Sequence, residues 1–144
     1  MNTATPTASA SAGKAWTIGL WAVQILLAAM YGFAGFNKLA QSSDALVAMG
    51  MAWVASSPIA LVRFIGLAEV AGALGMILPW ATRIMPRLTP LAALGLCAIQ
   101  VLAMPVHIFR GEYGVLPINL MLFAMALFVW WGRSRRLRGG ASAE

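Results

Sequence analysis

The chain has 144 residues, of which 61% are hydrophobic and 10% charged, with a mean hydropathy of +0.82. A water-soluble domain carries about a quarter charged residues, so this composition excludes a soluble globule and catalytic machinery on a soluble domain. Ten Lys and Arg against four Asp and Glu leave a net charge of +6. No basic, aromatic-interleaved face lies outside the apolar segments, so the charge reads as membrane topology and not as nucleic-acid binding. One cysteine, Cys97, excludes an internal disulfide and a C-x-x-C pair; one histidine, His107, excludes a bis-histidine haem, and no residues stand at metal-ligand spacing. At roughly 20 apolar residues per crossing, the chain has room for about four helices.

Residues 1–14 are small and polar up to Lys14, and read as a disordered cytoplasmic tail. A secretory signal would need a basic start, a shorter apolar region and a small-residue cleavage site, whereas about twenty apolar residues follow Lys14, so the run reads as a retained span from Trp16 to about Leu39. The run Ala45 to Ala55 is too short to cross and follows Ser43-Asp44, an N-cap pattern, which predicts a short interfacial helix. The second span is expected over 59–78, ended by Pro79-Trp80, and the third over 88–109, with Pro90 in its first turn and Pro105 bending its outer end. A polar turn, Arg110 to Gly114, leads to a fourth span over 115–131, and residues 133–144 form a basic cytoplasmic tail. The bundle spans 15–132 as an all-α, up-down-up-down four-helix fold.

Orientation follows from the flanking charges. Lys14, Arg83, Arg87, Arg133, Arg135, Arg136 and Arg138 share one side, against Lys38, Arg110 and Arg63 on the other, which places both termini in the cytoplasm. Trp16, Trp80, Trp130 and Trp131 then form an inner belt at the head groups, with Trp53 and Tyr113 on the outer side.

The informative residues are the polar ones inside the spans. Gln24, Tyr31 and Lys38 recur every seven positions on the first helix, within about 20° per step of one stripe. Cys97, Gln100, Met104 and His107 form another on the third, and Glu69 shares its face with Gly66, Gly72 and Ala73, small residues that let helices approach closely. Glu69 comes out roughly 15 Å deep, near the midplane, with Gln100 at a similar level and His107, Lys38, Asn119 and Arg63 near the outer boundary. The expectation is a polar chamber in the outer half with the Glu69 carboxyl at its floor and almost nothing polar in the cytoplasmic half. Plain alternatives exist. Arg63 and Lys38 can snorkel to the interface, His107 can cap its helix, Gln24, Gln100 and Asn119 can be interhelical glue, and Cys97 can be a small filler. Glu69 must be paired or protonated, because an ionised carboxylate at the bilayer centre costs at least about 2.5–3.5 kcal/mol.

Gly35-Phe36-Asn37-Lys38-Leu39, Ile65-Gly66-Leu67-Ala68-Glu69, Gly72-Ala73-Leu74-Gly75, Leu91-Ala92-Ala93-Leu94-Gly95-Leu96, His107 and Asn119 stand in an order and spacing that resembles the DoxX-like family of small four-span bacterial membrane proteins. The resemblance covers about Trp16 to Arg133. It implies a multi-pass protein of the bacterial inner membrane, associated in some relatives with thiosulfate:quinone oxidoreductase and other redox-linked membrane complexes, and it carries onto Lys38, Glu69, His107 and Asn119.

Three functions are compatible with these residues. The first is an accessory, redox-associated subunit whose chamber, lined by Lys38, Arg63, Glu69, Gln100, His107 and Asn119, binds a quinone or docks a redox partner protein. Lys38, His107 and Arg63 would donate to a quinone carbonyl, and Glu69 would relay protons. There is no autonomous catalytic motif and no covalently bound cofactor in this reading, so any enzymatic role is at most that of a subunit of a quinone-linked oxidoreductase. The second is a small proton-coupled transporter, for which homo-oligomerisation would supply missing walls. The third is a purely structural assembly subunit.

Overall fold

A computed structural model describes residues 7–141. The elements of the described chain are all helical, with no strand: α1 (Thr7–Ala40), α2 (Ser43–Ala48), a 3-10 turn (Ala52–Ser56), α3 (Ile59–Thr82), α4 (Leu88–Phe109), a second 3-10 turn (Tyr113–Val115) and α5 (Leu116–Ala141). Four segments are long and apolar enough to cross a bilayer: Gly13–Ala40, Ile59–Thr82, Leu88–Phe109 and Tyr113–Gly139. Their outward faces are apolar, carrying Phe33, Phe64, Leu91 and Leu102 among others, while Gln24, Asn37, Lys38, Glu69, Gln100 and Asn119 are buried. That arrangement inverts the pattern of a soluble bundle and suits a hydrocarbon solvent.

The helices form a four-membered ring. α1 makes its most extensive contact with α3, α3 packs on α4, α4 on α5, and α5 closes the ring against α1. Leu27, Tyr31, Met76, Leu96, Ala126 and Val129 fill the centre. Glycines set the closest approaches. A Cβ on Gly35 would stand 2.7 Å from the Gly66 carbonyl oxygen, and a Cβ on Gly66 would stand 2.9 Å from the Gly35 carbonyl oxygen and 2.8 Å from Lys38 Cβ. The α1 and α3 backbones therefore touch at this crossing, the use of small residues expected where helices associate in lipid. Gly72 and Gly75 receive Leu96 and Ala92 of α4 in the same way, and Gly132 of α5 receives Leu20 of α1.

The short helix expected between the first and second spans is α2, capped by Ser42, whose Oγ accepts from the Ala45 amide at 3.3 Å. The cap thus falls one residue before the expected Ser43. Leu46, Val54 and Val62 form a small separate core that seats α2 and the first 3-10 turn on the start of α3.

Several expected boundaries shift. α1 begins at Thr7, within the stretch read as a tail, because Ala and Ser there tolerate a helix already started downstream; Met1–Pro6 lie outside the described residues. α3 does not stop at 78. It runs through Pro79, whose missing N–H would have met the Gly75 carbonyl, and ends where Arg83 turns left-handed at φ 61°. α4 begins at Leu88 and ends at Phe109 as expected and continues through Pro105. α5 extends through the arginine run to Ala141, so residues 133–141 continue the helix instead of forming a separate tail.

The crossing makes a direct prediction. Gly66→Ala must force two backbones apart and is expected to destabilise the protein by about 1–3 kcal/mol. Gly95→Ala, with open space around it, is expected to be neutral or slightly stabilising through helix propensity. Thermal unfolding of both variants in mild detergent checks the contrast.

Candidate functional site

At this antiparallel crossing Lys38 lies over Gly66 and Glu69 lies over Gly35, so the lysine stem reaches back about one turn to the carboxylate. Lys38 Nζ donates to Glu69 Oε2 at 2.7 Å, and both side chains are 8% exposed. Lys38 therefore does not snorkel outward; its stem runs inward along α3 and its ammonium compensates the carboxylate. The midplane charge expected to be paired or protonated has a partner, and the sequence stripe Gln24, Tyr31, Lys38 is buried at all three positions.

A second polar pair lies beside the first. Gln100 Nε2 donates to the Tyr31 hydroxyl at 2.6 Å, and Tyr31 is within electrostatic reach of Glu69. Helix register puts these groups in one layer. Gly72 of α3 meets Leu96 of α4, so Glu69, three residues outward, is level with the neighbourhood of Gln100. Cys97 Sγ lies 3.8 Å from the Phe123 carbonyl oxygen of α5, so Asn119, one turn outward, is level with Gln100 as well. All four spans thus contribute to the layer. Within it two atoms are orphaned: Gln100 Oε1 and Asn119 Nδ2 are buried with no hydrogen-bond partner among the described residues. One is an acceptor and the other a donor, on adjoining helices.

Two of the expected chamber residues are employed elsewhere. Arg63 donates through Nη1 to the Lys38 carbonyl and through Nη2 to the Gln41 carbonyl at 2.9 Å, closing the C-terminal end of α1 whose last carbonyls have no helical partners. His107 sits seven residues beyond Gln100, roughly 10 Å further along α4. Its Nδ1 lies 2.6 Å from Glu112 Oε2. Arg110 Nε donates to the other oxygen of Glu112 at 2.7 Å, and its Nη groups reach Ser56 Oγ at 2.6 Å and the Ala52 carbonyl at 3.1 Å. His107, Arg110 and Glu112 therefore bind the α4–α5 turn to the first 3-10 turn and form a loop latch outside the layer. The His107 hydrogen bond, then the Arg110 guanidinium, hold the Glu112 carboxyl below the usual carboxylate range. An ionised Glu112 only accepts, so His107 carries its proton on Nδ1.

The opposite half of the bundle is not apolar as expected. Arg133 is fully buried, stacked against Trp80 at 4.2 Å and Trp21 at 5.1 Å, and its Nε donates to Gln24 Oε1 at 2.5 Å. Gln24 Nε2 in turn donates to the Met76 carbonyl, tying α5, α1 and α3 together. Arg133 is thus a buried bundle residue and not part of a solvated basic tail. Its place was signalled by the seven-three-four spacing of Asn119, Ala126, Val129 and Arg133, the buried stripe of α5.

These observations describe a four-span helical membrane protein with a mid-bundle polar layer organised by a lysine–glutamate pair. The DoxX-like family model matches residues 22–129, and the chain belongs to that family. No curated protein and no solved structure matches the chain.

Breaking the buried pair from one side leaves an uncompensated charge. Glu69→Leu is expected to cost about 3–5 kcal/mol, and the double variant Lys38→Met with Glu69→Leu to recover most of that loss. Chemical unfolding in micelles reads both. At the latch the sign runs the other way from an ordinary base: a carboxyl with a lowered folded-state pKa contributes stability above its unfolded pKa, and the contribution disappears as pH falls through the folded value. The stability gap between the wild type and Glu112→Gln is therefore expected to shrink on acidification below the usual carboxylate range. Melting temperatures of the two proteins across pH 3 to 7 test this, and a constant gap would refute it.

Proposed function

We propose that this DoxX-like protein is a multi-pass protein of the bacterial inner membrane, an accessory subunit of a redox-linked assembly whose polar layer receives the head group of a lipophilic quinone. The orphaned atoms Gln100 Oε1 and Asn119 Nδ2 carry the reading. A buried donor and acceptor left unpaired are costly, each about 1–3 kcal/mol, and a quinone presents carbonyls in its oxidised form and hydroxyls in its reduced form. The donor and acceptor fit those groups. Asn119 Nδ2 would donate to a carbonyl, and Gln100 Oε1 would accept from a hydroxyl. Lys38, Arg63 and His107 are not the donors in this reading, since each is engaged by Glu69, the end of α1 or Glu112.

When bound, a quinone supplies two-electron carriage coupled to protons. The chain's own part is to bind and orient: Tyr31 accepts from Gln100 and so positions its Oε1, and Glu69 holds a proton-accepting carboxylate whose release from Lys38 would free it to exchange. The excess of basic residues around the Arg133 end supports an orientation with both termini in the cytoplasm.

Protein purified in mild detergent is expected to contain enriched quinone and to melt at higher temperature with added quinone analogues. Asn119→Leu separates the roles. It removes an unpaired buried donor, so the protein without added quinone should melt no lower than the wild type, while the response to quinone analogues falls. Absence of both enriched quinone and a stabilising response would overturn the quinone reading. The remaining reading would be a purely structural assembly subunit, favoured by the mutual satisfaction of Lys38 and Glu69, and capture of native complexes would identify its redox partner proteins.

A further inference from the structure

The polar layer leaves over one hydrogen-bond acceptor and one donor. Gln100 Oε1 and Asn119 Nδ2 are buried without a partner among the described residues, and they stand on the adjoining helices α4 and α5. The chain ends outside the described residues do not reach them. Asn119 lies about 33 Å along α5 from Ala141, and Tyr31, which Gln100 contacts, lies about 36 Å along α1 from Thr7. Residues 142–144 and 1–6, fully extended, span only about 11 and 22 Å. The cations nearby are engaged as well, Lys38 Nζ by Glu69 Oε2 at 2.7 Å and Arg63 by the carbonyls that end α1. Tyr31 sets the polarity of the Gln100 amide. An amide carries a donor on one arm and an acceptor on the other. With Nε2 donating to the Tyr31 hydroxyl at 2.6 Å, the arm left over is the acceptor.

We infer that the layer discriminates between the two redox forms of its ligand and binds a quinol in preference to the quinone, with Gln100 as the specificity-determining residue and Tyr31 as the residue that positions it. The inference rests on the quinone reading above. The ring oxygens of a quinone only accept. One carbonyl satisfies Asn119 Nδ2, but nothing on the ring satisfies Gln100 Oε1. A quinol hydroxyl both accepts and donates, so one hydroxyl, or the pair across the ring, satisfies both atoms. The oxidised form therefore leaves a desolvated acceptor unpaired, and a site arranged for a hydroxyl discriminates strongly against the analogue that lacks it. One additional hydrogen bond at a buried neutral acceptor corresponds to about tenfold in affinity. A two-electron carrier whose reduced form is held about tenfold more tightly is easier to reduce in the site than free in lipid, by about 30 mV. Lys38 and Glu69 take no part in the discrimination, since their charges stay matched with either form.

The test titrates the full chain in mild detergent, without oxygen, with decylubiquinone and with the quinol prepared from it by chemical reduction. Equilibrium dialysis gives the two dissociation constants, and the shift in melting temperature checks them. The wild type is expected to bind the quinol about tenfold more tightly. Gln100→Met removes the leftover acceptor and keeps the length of the side chain. It is expected to weaken quinol binding about tenfold, leave quinone binding little changed and bring the ratio near one. Tyr31→Phe frees the Gln100 amide to offer either arm, so the ratio is expected to fall toward one, whereas a merely structural Tyr31 would change both affinities alike and leave the ratio intact. Equal affinities in the wild type, tighter binding of the quinone, or a ratio untouched by Gln100→Met would overturn the inference. If both forms bind equally, the quinone reading stands and only the preference falls; if neither binds, both fall. The wild-type ratio alone decides the question if a variant fails to fold.

Discussion

The ammonium of Lys38 against the carboxylate of Glu69 is the constraint around which the bundle is arranged. In hydrocarbon neither charge has water to fall back on, and each without the other would be pushed toward its neutral form. Pairing requires the two helices to be close, because a lysine near the end of α1 must reach a glutamate on α3 with its stem lying along the interface. Gly35 and Gly66 provide that closeness by removing the Cβ atoms that would hold the backbones apart. Arg63 completes the arrangement from the far side, tying up the carbonyl of Lys38 itself. Contact, charge and helix end thus depend on one another over two turns of α1 and α3.

The two halves of the bundle solve the same problem differently. In one half a cation meets a carboxylate. In the other, Arg133 meets two indole faces and a glutamine oxygen, which orient the guanidinium without neutralising it. Gln24 transmits that geometry by donating onward to the backbone of α3. The lysine–glutamate pair satisfies both of its charges, whereas Arg133 keeps Nη1 and Nη2 without a hydrogen-bond partner among the described residues. The difference gives the two ends distinct chemistry despite their similar apolar surfaces.

Much of the architecture was legible because lipid makes polar residues conspicuous. Spacing by sevens placed Gln24, Tyr31 and Lys38 on one buried stripe, and the small residues around Glu69 marked the face that meets α1. The limits of α4 followed from its flanking turns. What spacing did not reveal was pairing. Lys38 near a helix end reads equally as an interfacial anchor, and only the packed geometry turns it inward. His107 shares a stripe with Gln100, yet a turn of five residues brings Glu112 back beneath it and assigns it to the loop. Arg133 stands first in a run of arginines that encodes orientation, so its separate role was masked by composition even though its position on the α5 stripe was available.

The same pairings change the case for ligand binding. Sequence reasoning assigned the donors to Lys38, Arg63 and His107, the residues with the most conspicuous charges. Each has a closer claim on it within the fold, and a charge already matched in low dielectric is expensive to divert because its partner would be stranded. The neutral amides carry no such penalty. Gln100 already uses one end on Tyr31 and Asn119 lies level with it on the adjoining helix, so any hydrogen bond added at their unpartnered atoms would break none. If the layer binds a head group, selectivity would then rest on hydrogen-bond polarity, with the ion pair serving to hold the helices that present the amides. Proton exchange at Glu69 would require a further step in which Lys38 is drawn away, and that step, unlike binding, would have to work against the contact that sets the α1–α3 crossing.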